Sequence, residues 1–298
     1  MYIAEFAALA ASLCWSFGGL VSTTPTRALG SIRFNRLRLC IVALMLTGVS
    51  ICTGGWRTLD AHSASILILS AMIGVVLGDT LLFATLKRLG PRRNAILFTA
   101  NAPFTVIIGY FFLKEVLPFT AIIGCFLIMV GVLLAIFFGN TSRQNHAFEK
   151  VHGSLYAGIA FGLLSALCQA VSVIIARPIM ITGVDAVSAS ALRVGAAALT
   201  LSIVCSLKRN RAGKEAIPLT PKLILQTGLS GLIGMAFGMT FLLFALAHGE
   251  AGLVSTLSAT SPIFILPILW IATRERPAFG AWIGAFLAIA GMAFIFYF

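Results

Sequence analysis

Charged residues are scarce in this sequence. They make up 10% of its 298 residues, and only nine of them are acidic. A soluble domain carries about 25% charged residues, so the composition excludes that class. Apolar residues instead reach 59%, and they recur in runs of about twenty, each long enough to cross roughly 30 Å of hydrocarbon. These runs are continuous rather than alternating, which argues against a β-barrel. The sequence therefore predicts a polytopic all-α membrane protein.

Motifs for metal binding and catalysis are also absent from the sequence. None of the six cysteines belongs to a CxxC pair, so neither a disulfide framework nor a zinc site is indicated. The four histidines show no ligand spacing, and the sequence has no HExxH and no phosphate-binding GxxxxGK[ST]. We therefore predict no enzyme activity, no metal, no cofactor and no ATP-driven pumping. The N-terminal MYIAEF lacks a basic segment, so we expect the first apolar run to be retained.

The basic residues are placed as in an inner-membrane protein. A net charge of +12 would suit nucleic acid, but these residues lie in short loops between apolar runs. The positive-inside bias explains that placement better, so we expect no nucleic-acid partner. Of eighteen lysines and arginines assigned to loops and span ends, fifteen lie in odd-numbered loops. This bias places the odd loops in the cytoplasm and both termini outside.

Ten apolar spans are predicted, with short loops between them. Their approximate bounds are Tyr2–Thr23, Ser31–Thr53, Ala64–Leu86, Asn94–Leu113, Phe119–Phe138, Gly153–Ala176, Ala186–Leu207, Lys222–Leu246, Ala251–Thr273 and Ala278–Phe298.

The second half of the chain repeats the first. Five helices per repeat invert the second repeat relative to the first, an arrangement that builds many secondary transporters with a midplane site. The alternative is that duplication merely yields a stable bundle. We assign residues 1–139 and 150–298 to two inverted five-helix repeats and 140–149 to a linker. Positions that match at a separation of 159 or 160 residues are Gly90 with Gly249, Pro103 with Pro262, Glu115 with Glu275, Gly74 with Gly234, Gly78 with Gly238 and Gly131 with Gly291.

These features together resemble a known family. The sequence resembles the drug/metabolite transporter superfamily, most closely its EamA-type branch of exporters. The shared features are the ten spans, the five-plus-five duplication, and the segments that begin near Leu-Gly-Pro and end near an acid. The resemblance covers essentially the whole chain. It implies a ten-helix fold and efflux of small organic solutes such as amino acids. Relatives more often have their termini inside, unlike the orientation that the charges indicate here.

Polar side chains within the spans are the candidates for the binding site. Polar groups facing lipid are costly, so these side chains should face a cavity or a neighbouring helix. Prolines free a backbone carbonyl and weaken a helix, so Pro103 and Pro262 are predicted hinges. For a single hydroxyl the alternative is a bond to its own backbone. The candidate cavity residues are Ser12, Trp15, Ser16, Arg38, Asp79, Thr99, Asn101, Ser165, Gln169, Ser172, Arg193, Ser258 and Thr260.

Three charged residues lie deepest in the predicted spans. Asp79 is the one acid well inside a span, while Arg38 and Arg193 are related by the repeat. Asp79 can carry a proton, and either arginine can bind a substrate carboxylate or phosphate. Alternatively, Asp79 pairs with an arginine structurally, or the arginines extend to the headgroups. Glu115 and Glu275 sit in turns, where helix capping is their expected role.

The sequence thus predicts a secondary transporter that exports small organic metabolites by alternating access. Its partners would be a small organic solute and membrane lipid, and either proton exchange or a solute gradient would drive it. Two alternatives remain open: an integral-membrane enzyme acting on lipid-linked substrates, and a passive channel or packing subunit.

The charge distribution yields a test of topology. The basic loop Lys208–Lys222 should be cytoplasmic, so Gly213→Cys should resist a membrane-impermeant thiol reagent in intact cells. Arg57→Cys, in an even-numbered loop, is the matched control and should label readily. Both belong in a background without the native cysteines. Rapid labelling of position 213 would overturn the orientation.

Overall fold

The computed structural model describes residues 2–137, 154–209, 219–261, 263–264, 267–268, 270 and 279–297. All regular structure in these ranges is helical. The α-helices are α1 (Ile3–Leu29), α2 (Ser31–Thr53), α3 (Ala61–Ala71), α4 (Asp79–Thr99), α5 (Asn101–Phe112), α6 (Phe119–Phe137), α7 (Leu155–Met180), α8 (Ala186–Arg209), α9 (Pro221–Ser230), α10 (Gly238–His248), α11 (Ala251–Ser258) and α12 (Phe279–Tyr297).

Seven helical segments among the described residues are long and apolar enough to cross a membrane. Two shorter apolar helices, Phe119–Gly131 and Trp282–Gly291, accompany them. The chain is therefore a multi-pass helical membrane protein. The seven segments are Ile3–Leu29, Ser31–Thr53, Ala61–Gly90, Arg93–Phe112, Leu155–Met180, Ala186–Leu207 and Pro221–His248.

The first and sixth spans are longer than the sequence predicts. We expected them to end at Thr23 and Ala176, but the helices continue through Pro25 and Pro178. A proline removes one backbone hydrogen bond from a helix, yet neighbouring helices in a membrane bundle can compensate for that loss. The composition of a segment therefore does not reveal its last turn.

Polar residues and glycines set the helix boundaries. Asp60 accepts a hydrogen bond from the Ser63 amide at 3.0 Å and so caps α3. Gly30 separates α1 from α2 with φ 81°, a conformation that favours glycine. Gly90 has φ 83° and kinks α4. The part of α4 before the kink belongs to the span that ends at Gly90, and the part from Arg93 onward belongs to the next span.

Two π-helical segments lie at equivalent places in the two halves of the chain. Met72–Gly78 joins α3 to α4, and Gly231–Phe237 joins α9 to α10. Each is seven residues long, and they start 159 residues apart, which matches the separation of the repeated sequence positions. π-Helical turns are rare and occur frequently at functional sites.

Close helix contacts depend on small residues. A Cβ atom on Gly131 would lie 2.5 Å from the Gly284 carbonyl oxygen, and one on Gly291 would lie 2.7 Å from the Gly124 carbonyl oxygen. These glycines let the backbones of α6 and α12 approach each other. Elsewhere α2 packs against α8, α1 against α9, α10 and α11, and α7 against α3 and α4. Each half of the chain thus packs against the other.

Candidate substrate-binding site

A cavity of about 130 Å³ lies between the helices of the two halves. Its wall is mostly apolar and aromatic, with a few polar groups directed into it, the usual composition of a small-molecule site. The residues that line it are Trp15, Ser16, Gly18, Gly19, Ser22, Arg38, Asp79, Leu82, Phe83, Leu86, Asn94, Ala95, Phe98, Gln169, Gly234, Met235, Met239 and Ser261.

An ion pair forms the charged part of the cavity wall. The Arg38 guanidinium donates to the Asp79 carboxylate at 2.6 Å and to the Asn35 side-chain oxygen at 3.1 Å. The carbon at its centre lies 4.6 Å from the centroid of the Phe83 ring, within the range of a cation–π interaction. Asp79 reaches this position because it follows the π-helical segment directly. The pairing that the sequence left open is therefore present in the structure.

Arg193 is buried in a different environment. Its side chain is 1% exposed, and its terminal nitrogens donate to the Ser70 hydroxyl at 2.6 Å and the Ser172 hydroxyl at 2.9 Å. Among the described residues no carboxylate forms an ion pair with it. In the described part of the chain its hydrogen-bond partners are neutral hydroxyls, although the sequence predicts that Arg193 is the repeat counterpart of Arg38.

Hydroxyl contacts join α1 to the end of α11 at one boundary of the cavity. The Ser12 and Thr260 hydroxyl oxygens lie 3.0 Å apart, and Ser16 donates to the Ser261 carbonyl at 2.8 Å. Ser261 in turn donates to the Ser12 carbonyl at 3.1 Å. These contacts lie on the side of the cavity toward the N-terminus of α1. The cavity itself extends the other way, toward Ser22 and Asn94.

The structure brings five of the predicted site residues to the cavity wall: Trp15, Ser16, Arg38, Asp79 and Gln169. α1 and α7 therefore both contribute polar residues to one cavity. The other predicted residues are buried within helix contacts.

These remaining candidates mostly satisfy backbone groups. Ser165 donates to the Gly78 carbonyl, Asn101 to the Phe98 carbonyl and Ser258 to the Ser255 carbonyl. Thr99 is buried at the end of α4. A turn at Ala100 separates α4 from α5, three residues before the predicted hinge Pro103. The other predicted hinge, Pro262, lies outside the described residues.

Sequence reasoning missed the apolar part of the cavity wall. Leu82, Phe83 and Phe98, together with Met235 and Met239, line the cavity, but their apolar residue type does not distinguish them from lipid-facing residues. Leu82 and Phe83 had a usable clue, because they lie three and four residues after Asp79 on the same helical face.

Glu115 has the capping role that the sequence indicated. Its carboxylate accepts from the backbone amides of Ala251 at 3.1 Å and Gly252 at 3.3 Å, at the N-terminus of α11. Arg177 lies 3.7 Å from the same carboxylate. Burial raises the pKa of the neighbouring Glu250 carboxyl, the Glu115 charge raises it further, and Arg177 opposes both effects. Its repeat counterpart Glu275 lies outside the described residues.

In the part of the chain that the structure describes, no three or more His, Cys, Asp or Glu side chains are grouped so as to hold a metal ion. The polar groups of the cavity are an ion pair, two amides and three hydroxyls, which can bind the polar groups of a small solute.

Comparison with known proteins agrees with a helical transporter. The model of the EamA-like transporter family matches residues 2–137 and 156–297. The chain therefore belongs to the EamA-like transporter family, within the drug/metabolite transporter superfamily. A protein of Archaeoglobus fulgidus described as an uncharacterized transporter is 22% identical over 282 residues, covering 94% of this chain and 93% of that one. A solved crystal structure shares the fold with a TM-score of 0.76 at 15% identity, covering 98% of this chain and 96% of the other.

The ion pair yields a prediction about stability. Asp79→Asn leaves the Arg38 guanidinium without its carboxylate, and breaking a buried pair costs about 3–5 kcal/mol. We expect a clear fall in the thermal unfolding temperature of the purified protein and in solute exchange. The double variant Arg38→Gln/Asp79→Asn removes both charges and should recover much of the stability. A well-folded Asp79→Asn protein with unchanged exchange would contradict a role for the pair.

Proposed function

We propose that this chain is a secondary transporter that exports small organic metabolites, amino acids or related solutes, across the cytoplasmic membrane by alternating access. The observation that carries the proposal is the cavity with a central ion pair, enclosed by helices from both halves of the chain. Membership of a transporter family supports the same conclusion. The positive-inside bias supports odd-numbered loops in the cytoplasm and both termini outside.

Repeat-related contacts support ten helices in two inverted repeats, residues 1–139 and 150–298. The Ser70 hydroxyl donates to the Ser172 carbonyl at 2.6 Å, and the equivalent Ser230 hydroxyl donates to the Gly18 carbonyl at 3.1 Å. Each pair joins one half of the chain to the other, as two inverted repeats that meet about a pseudo-twofold axis would require.

A second pair of contacts is also repeated, but each of these lies within one half of the chain. The Asn35 amide donates to the Thr80 hydroxyl at 3.4 Å, and the equivalent Thr240 hydroxyl lies 3.2 Å from the Ser190 hydroxyl. The two family matches, over residues 2–137 and 156–297, divide the chain at the same place.

Alternating access requires that one side of the cavity be closed while the other is reached by solute. In this conformation the hydroxyl contacts between α1 and α11 close the side near the N-terminus of α1. The Glu115 carboxylate adds a further contact there by capping α11 from the α5–α6 turn. The cavity extends toward the loops after α1 and before residue 93, which the charge bias places in the cytoplasm. We interpret this state as inward-facing.

The function itself is tested by exchange in proteoliposomes. Vesicles containing the purified protein are loaded with a mixture of amino acids, organic acids and amines, and the uptake of each labelled solute is measured. We expect saturable exchange of a small subset of these solutes, because the cavity is small and has few polar groups. Protein-free vesicles are the control. Flux that rises linearly with concentration for every solute would indicate a passive channel instead.

Closure between α1 and α11 is tested by a reversible crosslink. Ser12→Cys with Thr260→Cys replaces two hydroxyls that are 3.0 Å apart, which is close enough for a disulfide after small adjustments. Oxidation should abolish exchange because the closed side can no longer open, and a reductant should restore it. The single-cysteine variants, in a background without the native cysteines, are the controls. Full exchange by the oxidised, crosslinked protein would contradict alternating access at this contact.

A further inference from the structure

We propose that the transported solute carries a net negative charge. This inference rests on the proposed transport function and names the substrate class of the same cavity. Its basis is the sum of the charges deep in the bundle, namely Arg38, Asp79 and Arg193. Two guanidinium groups and one carboxylate leave one positive charge uncompensated.

The single carboxylate is already engaged by one arginine. Asp79 lies 2.6 Å from Arg38, so this pair contributes no net charge. Within the described ranges the Arg193 side chain has only the Ser70 and Ser172 hydroxyls as hydrogen-bond partners, and its Nε atom makes no hydrogen bond. A guanidinium remains protonated in proteins, so this position is cationic. An unpaired charge at such depth is costly and needs a partner, a solute or water.

The repeat alignment indicates where a second carboxylate, the counterpart of Asp79, would lie. Asp79 follows Gly78, and its counterpart after Gly238 is Met239. The equivalent contacts Asn35–Thr80 and Ser190–Thr240 place α4 against α2 and α10 against α8 in corresponding ways. By the repeat alignment, Met239 occupies the position that corresponds to Asp79, while the Arg193 side chain extends to Ser70 and Ser172.

Met239 also lines the cavity. A solute in the cavity beside Met239 thus occupies the place that a second carboxylate would fill. The apolar and aromatic wall around it screens charge poorly, so the positive potential of Arg193 acts strongly on a bound solute. An anion completes the charge balance, whereas a cation increases the imbalance.

The test compares solutes that differ in charge but share a skeleton. The probes are the N-acetyl derivative (net charge −1), the free amino acid (0) and the amide (+1) of alanine, valine and phenylalanine. Protein-dependent, saturable exchange of each is measured in proteoliposomes. We expect the N-acetyl anions to exchange with the highest kcat/KM. A preference for the amides or the free amino acids would overturn the inference while leaving the transport function intact.

A charge change at position 239 provides the decisive comparison. Met239→Asp supplies the missing carboxylate, so the ratio of anion to free amino acid exchange should fall by on the order of tenfold. Met239→Asn has nearly the same shape as Met239→Asp but no charge. It is the control for that variant, and its ratio of anion to free amino acid exchange should remain close to the wild-type ratio. Arg193→Gln removes the positive charge instead and should lower the ratio in the same direction.

The outcomes separate the two proposals. Thermal unfolding of each variant shows whether it is folded. If Met239→Asp does not fold, Arg193→Gln provides the charge comparison in its place. An unchanged ratio in a folded Met239→Asp or Arg193→Gln protein would overturn the anion assignment alone. Absence of saturable exchange for every probe with the folded wild-type protein would overturn the transport proposal, and the substrate class with it.

Discussion

The absence of water in the hydrocarbon core is the constraint on which this structure depends. Every buried polar group must find a partner inside the protein, because lipid offers none. In the described helices many buried hydroxyls find such a partner by donating to a carbonyl of a neighbouring helix, as Ser70 does with Ser172 and Ser165 with Gly78. The same constraint draws Asp79 to Arg38. At Arg193 the described hydrogen-bond partners are neutral hydroxyls, and no described carboxylate forms an ion pair with it.

The proposed inverted repeats would account for both the regularity and the asymmetry of the site. The two π-helical segments start 159 residues apart, and Asp79 and Met239, which correspond in the repeat alignment, lie just after them. In such an arrangement two similar backbones surround one cavity. The difference in charge between Asp79 and Met239 then distinguishes the two sides of its wall.

Under the proposed mechanism, a change out of the conformation described here costs free energy. Opening the closed side requires the loss of the Ser12–Thr260 contact and of the bonds from Glu115 to the amides of α11. Each such hydrogen bond is worth about 0.5–1.5 kcal/mol net, and more where a charge takes part. Under the proposed mechanism, equivalent contacts formed at the other end of the bundle would offset this loss. A duplicated chain carries residues for both sets.

The sequence alone determined the membrane class, most helix positions and the deep charged residues, because hydrophobic length and buried charge are local properties of a chain. It also predicted the duplication. It also indicated the capping role of Glu115. Only the tertiary structure decided which arginine holds Asp79, and which of the polar candidates reach the cavity rather than a backbone carbonyl. It also decided that Phe83, Phe98 and Met239 form part of the wall. These outcomes depend on how helices distant in sequence rotate and pack against one another. In addition, the same apolar residue types occur at lipid-facing and at cavity-lining positions, so the sequence does not distinguish the two.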